Sequence, residues 1–415
     1  MGSSEGSTRG GRGSTHTDPM VRTVTPQSAE PPPLVEVEPP PKAASSLARP
    51  LAVPLLAYAA SRLITTIAVG LAAMASHQAF HRVLTVWDGR WYVRIALHGY
   101  PTSVPQGDFY TGTGRQVQSS IAFFPLYPLL VRGLDRLLPG GPDVAGVVLA
   151  LIFGAVATVL VWLVADKLAG RRVADRAAVL FAFSPGAFVL SLVYAEGLLV
   201  LLSAACLLAL LERRWLLAGV LAALAGATRP NATAAMLACA WAAGVAIWKD
   251  REWRAAIAPA LAPIGMLAFF VFLWWHTGET LIWFRVESQG WGERIDLGWS
   301  NLGVFADVVT RPLYNPNMIV LAISMISAVV LMVILVRAKL PAILNVYALS
   351  GIGLVLASHI NARPRFIFVA FPLVIALAKT TARRPTAFVV LTAIFAASTV
   401  MLTVFYGLHQ HNYYP

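Results

Sequence analysis

Along the chain, long apolar runs alternate with short, strongly basic breaks. Runs near the ~20 residues that a spanning helix needs occupy roughly 50–74, 143–166, 177–193, 196–211, 215–228, 231–248, 255–275, 317–336, 340–358, 365–379 and 386–408. This pattern predicts an all-α polytopic membrane protein with about 11 transmembrane helices. The breaks carry Lys167 to Arg176, Arg213 and Arg214, Lys249 to Arg254, Arg337 and Lys339, and Lys379 to Arg384. Cytoplasmic loops hold an excess of Lys and Arg, so these clusters set the direction, with the N-terminus inside and the C-terminus outside. The stretch 120–138 is apolar enough to suggest one more span, but crossing there would invert every later cluster. Its Pro125, Pro128, Arg132, Asp135 and Arg136 suit an interfacial or re-entrant helix of the first outer loop.

Residues 1–47, rich in Gly, Ser, Thr and Pro, predict a disordered cytoplasmic tail. The remainder, 48–415, reads as one transmembrane domain whose large outer loops are about 75–142 and 276–316. Composition agrees with the pattern: 57% of residues are hydrophobic and only 13% charged, against about 25% charged in a soluble domain. The net charge of +12 sits in topology breaks and tail, which argues against a nucleic-acid partner and for a multi-pass protein of the inner (plasma) membrane. Cys206 and Cys239 fall in apolar runs without metal-ligand spacing, and His409 and His411 lack an acidic or thiol partner. No metal or other cofactor is expected. Soluble nucleotide-sugar chemistry is unsupported, because the chain has no phosphate-binding Gly loop and no nucleotide fingerprint.

With this topology the outer tips carry Asp88, Glu196, Arg229 with Asn231, Gln289, and then His359, Arg363 and Arg365. An ionised group at mid-bilayer costs about 2.5–3.5 kcal/mol, so acids and bases gathered under one face suit a site that takes lipid-borne substrates. Asp88 lies among interfacial aromatics (Trp87, Trp91, Tyr92, Tyr100) and is read either as a cap or partner of Arg90 and Arg94, or as a general base. Glu196 opens a helix, where the dipole favours an acid; its functional reading is a ligand to sugar hydroxyls or to an arginine. Arg229, at a helix tip before a proline, suits a phosphate clamp. The dense "SHINARPRF" offers cations for a departing phosphate. In the last large loop, Gln289, Trp291 and Trp299 offer a sugar platform or an interfacial belt. Trp87 and Arg90, which flank Asp88 and Gly89, complete the substrate-binding set.

"WDGRWYVRIALHGYP" followed by "AFFPLYPLLVR" resembles the first-loop signature of the PIG-V-type mannosyltransferases, enzymes of GPI-anchor synthesis, and their bacterial relatives. "SLVYAEGLLVLLSAACL", "GATRPNA" and "RPRFIFVAFPLVIALA" are similar to later blocks of that family. The resemblance spans about residues 50 to 380 and implies a GT-C glycosyltransferase fold. It also implies a polyprenyl-phosphate mannose donor, a lipid or glycan acceptor, and transfer on the non-cytoplasmic face. By motif match Asp88 takes the place of the catalytic base, and Glu196, Arg229 and Asn231 fall on the later blocks. The loop 276–316 has no counterpart in this resemblance. Three alternatives stand beside it: a transferase of arabinose, glucose or galactose from the same kind of donor, a lipid or sugar-lipid transporter, and a non-enzymatic scaffold in cell-wall synthesis, for which Asp88 and the 359–365 cluster would be dispensable. A transporter predicts repeat symmetry and polar groups near mid-bilayer, whereas the polar groups here read to one face.

Overall fold

The computed structural model of the chain describes residues 48–104, 118–311 and 314–409; the tail expected over 1–47 lies outside them. Among the described residues every regular element is a helix, apart from one isolated antiparallel bridge between Ile295 and Ser358. Among the described residues six helices are long and apolar enough to cross a membrane: Leu51–Ala75, Gly141–Ala169, Pro230–Asp250, Trp253–Thr277, Pro316–Arg337 and Pro385–Leu408. Each lies within 3 residues of an expected run at both ends. Pro316 and Pro385 mark their starts, since the N–H that proline lacks would be unpaired there anyway.

The other expected runs are shorter or broken. The run expected over 177–193 is a helix pair, Arg171–Ala182 and Pro185–Ser191, bent by 70°. The apolar helices Glu196–Leu211, Trp215–Gly226, Ala342–Leu356 and Pro372–Thr381 fall below the length of a full span. The run expected over 365–379 is split into Pro364–Val369 and Pro372–Thr381. Thus 6 full-length spans, or up to 7 with the bent pair, stand where about 11 were expected, accompanied by four short helices. The ten-residue helix Leu126–Asp135, in the stretch that invited a further span, is too short to be one.

A bend inside a membrane frees backbone carbonyls that no water can satisfy. Here Arg62, on the first span, supplies the donors. Its Nη1 donates to the Ala187 carbonyl (2.8 Å) and Ser191 Oγ (2.9 Å), and its Nη2 to the Ala182 carbonyl (3.2 Å). From the last span, Thr399 shares its hydroxyl between the carbonyls of Phe183 (2.9 Å) and Ser184 (3.0 Å). Throughout the bundle, fully buried alanines such as Ala177, Ala178, Ala204, Ala222 and Ala235 let the helices approach closely.

The basic breaks meet one another. Lys167 pairs with Glu212 (3.2 Å), Arg213 with Asp250 (2.5 Å) and Glu252 (2.9 Å), and Lys379 donates to the Ala338 carbonyl (2.8 Å). At that end the helices are level; at the other they are not. Gly141–Ala169 has 29 residues and Glu196–Leu211 only 16, roughly 44 Å against 24 Å at 1.5 Å per residue. Gly197 accordingly abuts Ala150 and Gly154, well inside the longer helix. The short helices therefore stop beneath a recess opposite the basic end.

Candidate active site

Four charged side chains from four distant parts of the chain meet in this recess. Asp88 stands in the first turn of the helix Asp88–His98 and Glu196 in the first turn of Glu196–Leu211, where the helix dipole favours a carboxylate. Arg229 precedes Pro230, which disfavours helical backbone at the residue before it. It is extended (φ −161°) at the end of Trp215–Gly226. Arg365 is the second residue of Pro364–Val369.

Two glycines permit the convergence. A Cβ on Gly89 would lie 3.3 Å from Val193, which brings the first loop against the strand-like approach to Glu196. A Cβ on Gly186 would collide with the Pro364 carbonyl oxygen, so only glycine lets the bent pair seat the helix of Arg365. Just before Asp88, Trp87 holds φ at 48°, a left-handed conformation that is an outlier for a bulky residue and stores strain beside the carboxylate.

The contacts form a closed square with no net charge. Arg365 Nη1 donates to Asp88 Oδ2 at 2.5 Å and to Glu196 Oε1 at 3.4 Å. Arg229 Nη1 lies 3.0 Å from Glu196 Oε1 and donates to Asp88 Oδ2 at 3.3 Å and to Tyr92 Oη at 3.4 Å. Asp88, Glu196 and Arg365 are buried, and the Arg229 side chain is 11% exposed. Burial pushes the Asp88 carboxyl up, but Arg365 and then Arg229 more than offset this and hold it below the usual carboxylate range. Asp88 is therefore ionised at neutral pH.

Several hydrogen-bonding positions remain uncommitted. Both arginines use only Nη1, and Arg365 Nε and Glu196 Oε2 are buried without a partner among the described residues. Asp88 spends Oδ2 on both arginines, while its Oδ1 accepts no bond among the described residues and is not sealed from solvent. The square thus offers one carboxylate oxygen and several N–H donors to a visitor.

The other expected residues are placed as follows. Arg363 is an electrostatic neighbour of Arg365 and Asp88, and its Nε donates to the Ile360 carbonyl at 3.1 Å. Asn231 lies in the turn Pro230–Ala232, half-buried. Trp87 packs in an apolar cluster with Phe188, Tyr194 and Tyr406, its indole N–H unpartnered among the described residues. Gln289 is exposed, as is Trp299. Arg90 is exposed on the face of its helix away from buried Asp88 and Tyr92. His359 stands outside the square, exposed, 3.5 Å from Asp296, its backbone N–H donating to the Arg294 carbonyl at 2.8 Å. It fastens the loop beside the Ile295–Ser358 bridge.

Further residues flank the square: Trp291 was expected as part of a sugar platform, whereas Glu287 and Glu293 were not singled out from the sequence. Trp291 meets Trp91 and Phe123 edge-on at 5.6 and 5.4 Å, forming an aromatic wall beside Tyr92. Glu287 and Glu293, joined by a 2.8 Å backbone bond from Glu293 N–H to the Glu287 carbonyl, sit half-buried on the loop. Burial and mutual repulsion raise Glu287 to about 8, with Arg229 and Asp88 among its neighbours. Burial raises Glu293 to about 7, opposed by Arg363 and Arg365. Their one signal in the sequence was two acids in a chain that is poor in charge. Among the described residues no group of three His, Cys, Asp or Glu side chains is arranged to hold a metal ion.

Comparison with known proteins gives one partial family match and one distant structural likeness. No curated protein sequence matches the chain. A crystal structure of the Archaeoglobus fulgidus oligosaccharyltransferase in the apo form is similar at a TM-score of 0.43 and 14% identity, over 85% of this chain and 56% of that one. The chain therefore spans little more than half the length of that protein. Residues 124–275, well under half of the chain, match the family described as dolichyl-phosphate-mannose-protein mannosyltransferase.

Proposed function

We propose that the chain is an integral membrane glycosyltransferase of GT-C type. In this reading it moves mannose from a polyprenyl-phosphate donor to a lipid- or glycan-linked acceptor on the non-cytoplasmic face. The observation that carries the reading is the recessed square of Asp88, Glu196, Arg229 and Arg365, with a free carboxylate oxygen beside unspent guanidinium N–H groups. The match of residues 124–275 supports a mannosyl donor over other sugars. The meeting of the basic breaks at the opposite end supports a cytoplasmic N-terminus and an outward-facing recess. The PIG-V-type resemblance of the first loop is part of the same proposal.

The acceptor hydroxyl approaches Asp88 Oδ1 and gives it a proton as its oxygen bonds to the anomeric carbon. The bond from that carbon to the donor phosphate breaks, and the phosphate leaves with the electron pair. A single displacement inverts the anomeric centre. An aspartate held ionised by two arginines is a weak base, suited to a proton that departs late, when the hydroxyl has become acidic. The uncommitted N–H groups of Arg229 and Arg365, with Arg363 nearby, meet the charge that grows on the phosphate. The wall of Trp291, Trp91 and Phe123 is where the sugar rings rest, and Gln289 and Asn231 are further candidates for binding their hydroxyls. The test is purified protein in lipid, supplied with polyprenyl-phosphate mannose and candidate acceptor lipids. A product heavier by one hexose with the mannose donor is expected. Equal transfer from glucose and arabinose donors, or no transfer to any acceptor, would overturn the reading.

A further inference from the structure

The helix Asp88–His98 has two working faces. Asp88, Tyr92, Ile95 and Ala96 are buried toward the square. On the opposite side, Arg90, Arg94 and His98 recur every fourth residue and are exposed, so they stand one above another. With Thr85, Val93, Leu97 and Asp143 they line an open groove of about 430 Å³. Like charges one turn apart repel, and among the described residues neither Arg90 nor Arg94 has an ion-pair partner. Asp143 lines the groove without pairing with them. The Arg94 guanidinium lies 5.8 Å from the centre of the Trp91 ring, which steadies it.

We propose that this groove holds the phosphate of an anionic membrane lipid, clasped between the Arg90 and Arg94 guanidinium groups. The forked donors of two arginines one turn apart match phosphate oxygens. A lipid fits better than free phosphate because two of the seven lining residues are apolar: Val93 and Leu97 receive the glycerol and first methylenes, and Leu97 is 50% exposed. Arg132 Nη2 donates to the Leu97 carbonyl at 3.2 Å and ties this end of the helix to its neighbour. The site is separate from the square, and its occupant touches the helix that carries Asp88.

The experiment uses full-length protein in phosphatidylcholine nanodiscs with increasing phosphatidylglycerol, read by native mass spectrometry and by the melting midpoint. Inorganic phosphate is the soluble arm. Phosphatidylglycerol should be retained over phosphatidylcholine and raise the midpoint, while inorganic phosphate should do neither. Arg90→Gln with Arg94→Gln should weaken retention about tenfold, the scale of one charge-assisted contact. Asp143→Asn, which removes the opposing charge, should strengthen retention, and it stands as the test if the double variant does not fold. Equal retention by wild type and double variant, weaker or unchanged retention in Asp143→Asn, or a response to phosphate as large as that to the lipid would each overturn the proposal.

Discussion

Arg365 and His359 stand 6 residues apart in one short stretch, yet their surroundings differ in kind. The Arg365 side chain is 7% exposed and shares Nη1 between Asp88 and Glu196. His359 is 44% exposed and meets one carboxylate, Asp296, at 3.5 Å. An exposed pair of the second kind contributes about 0–1 kcal/mol. A buried pair carries a desolvation cost that hydrophobic packing would avoid, and removing one partner costs about 3–5 kcal/mol. A neutral square of buried charges is thus a poor way to hold a membrane protein together and, under the proposed function, a good way to present donors and an acceptor to a lipid-borne substrate. Convergence and burial separate chemistry from fastening here; nearness in sequence does not.

Substitutions at the two places should separate just as sharply. The largest effect is expected for Asp88→Asn, which keeps the shape and removes the charge. Turnover per folded molecule should fall by about 10² to 10⁴. Turnover within a factor of a few of wild type would remove Asp88 from the mechanism.

A pH effect of intermediate size is expected on the loop. Glu287 is raised from 4.5 to about 8, so the folded chain keeps a proton that the unfolded chain releases. Stability from this group is complete below 4.5 and is lost as pH rises toward 8. Glu287→Gln should therefore melt with wild type near pH 4 and above it near pH 9, by a few degrees for about 1 kcal/mol. The same slope in both proteins would contradict the burial of that carboxyl. The smallest effect belongs to His359→Ala, which should change stability by less than about 1 kcal/mol and leave transfer near wild type. A loss like that of Asp88→Asn would erase the distinction between the two regions.

Much of this was legible in the residues themselves. The six long spans followed from hydropathy to within 3 residues, because a bilayer selects for length and apolarity and little else. Asp88, Glu196, Arg229 and Arg365 were singled out because ions at the tips of an apolar chain need a reason, and the structure brings these four together. The bend at 183–184 was hidden, since what stabilises it is Arg62, 120 or more residues away. So was the parting of Arg365 from His359, which depends on the turn where Pro364 starts a new helix. Glu287 and Glu293 come near the square only through the folding-over of the loop, pinned at Ile295 and Ser358, which no periodicity announces.

The most direct measurement is an experimental structure of the protein with polyprenyl phosphate, the lipid that remains after transfer. The account predicts the phosphate in the recess, its oxygens within about 3 Å of N–H groups of Arg229 or Arg365. Phosphate density at the end where Lys167 and Glu212 meet, with the square of charges untouched, would contradict it.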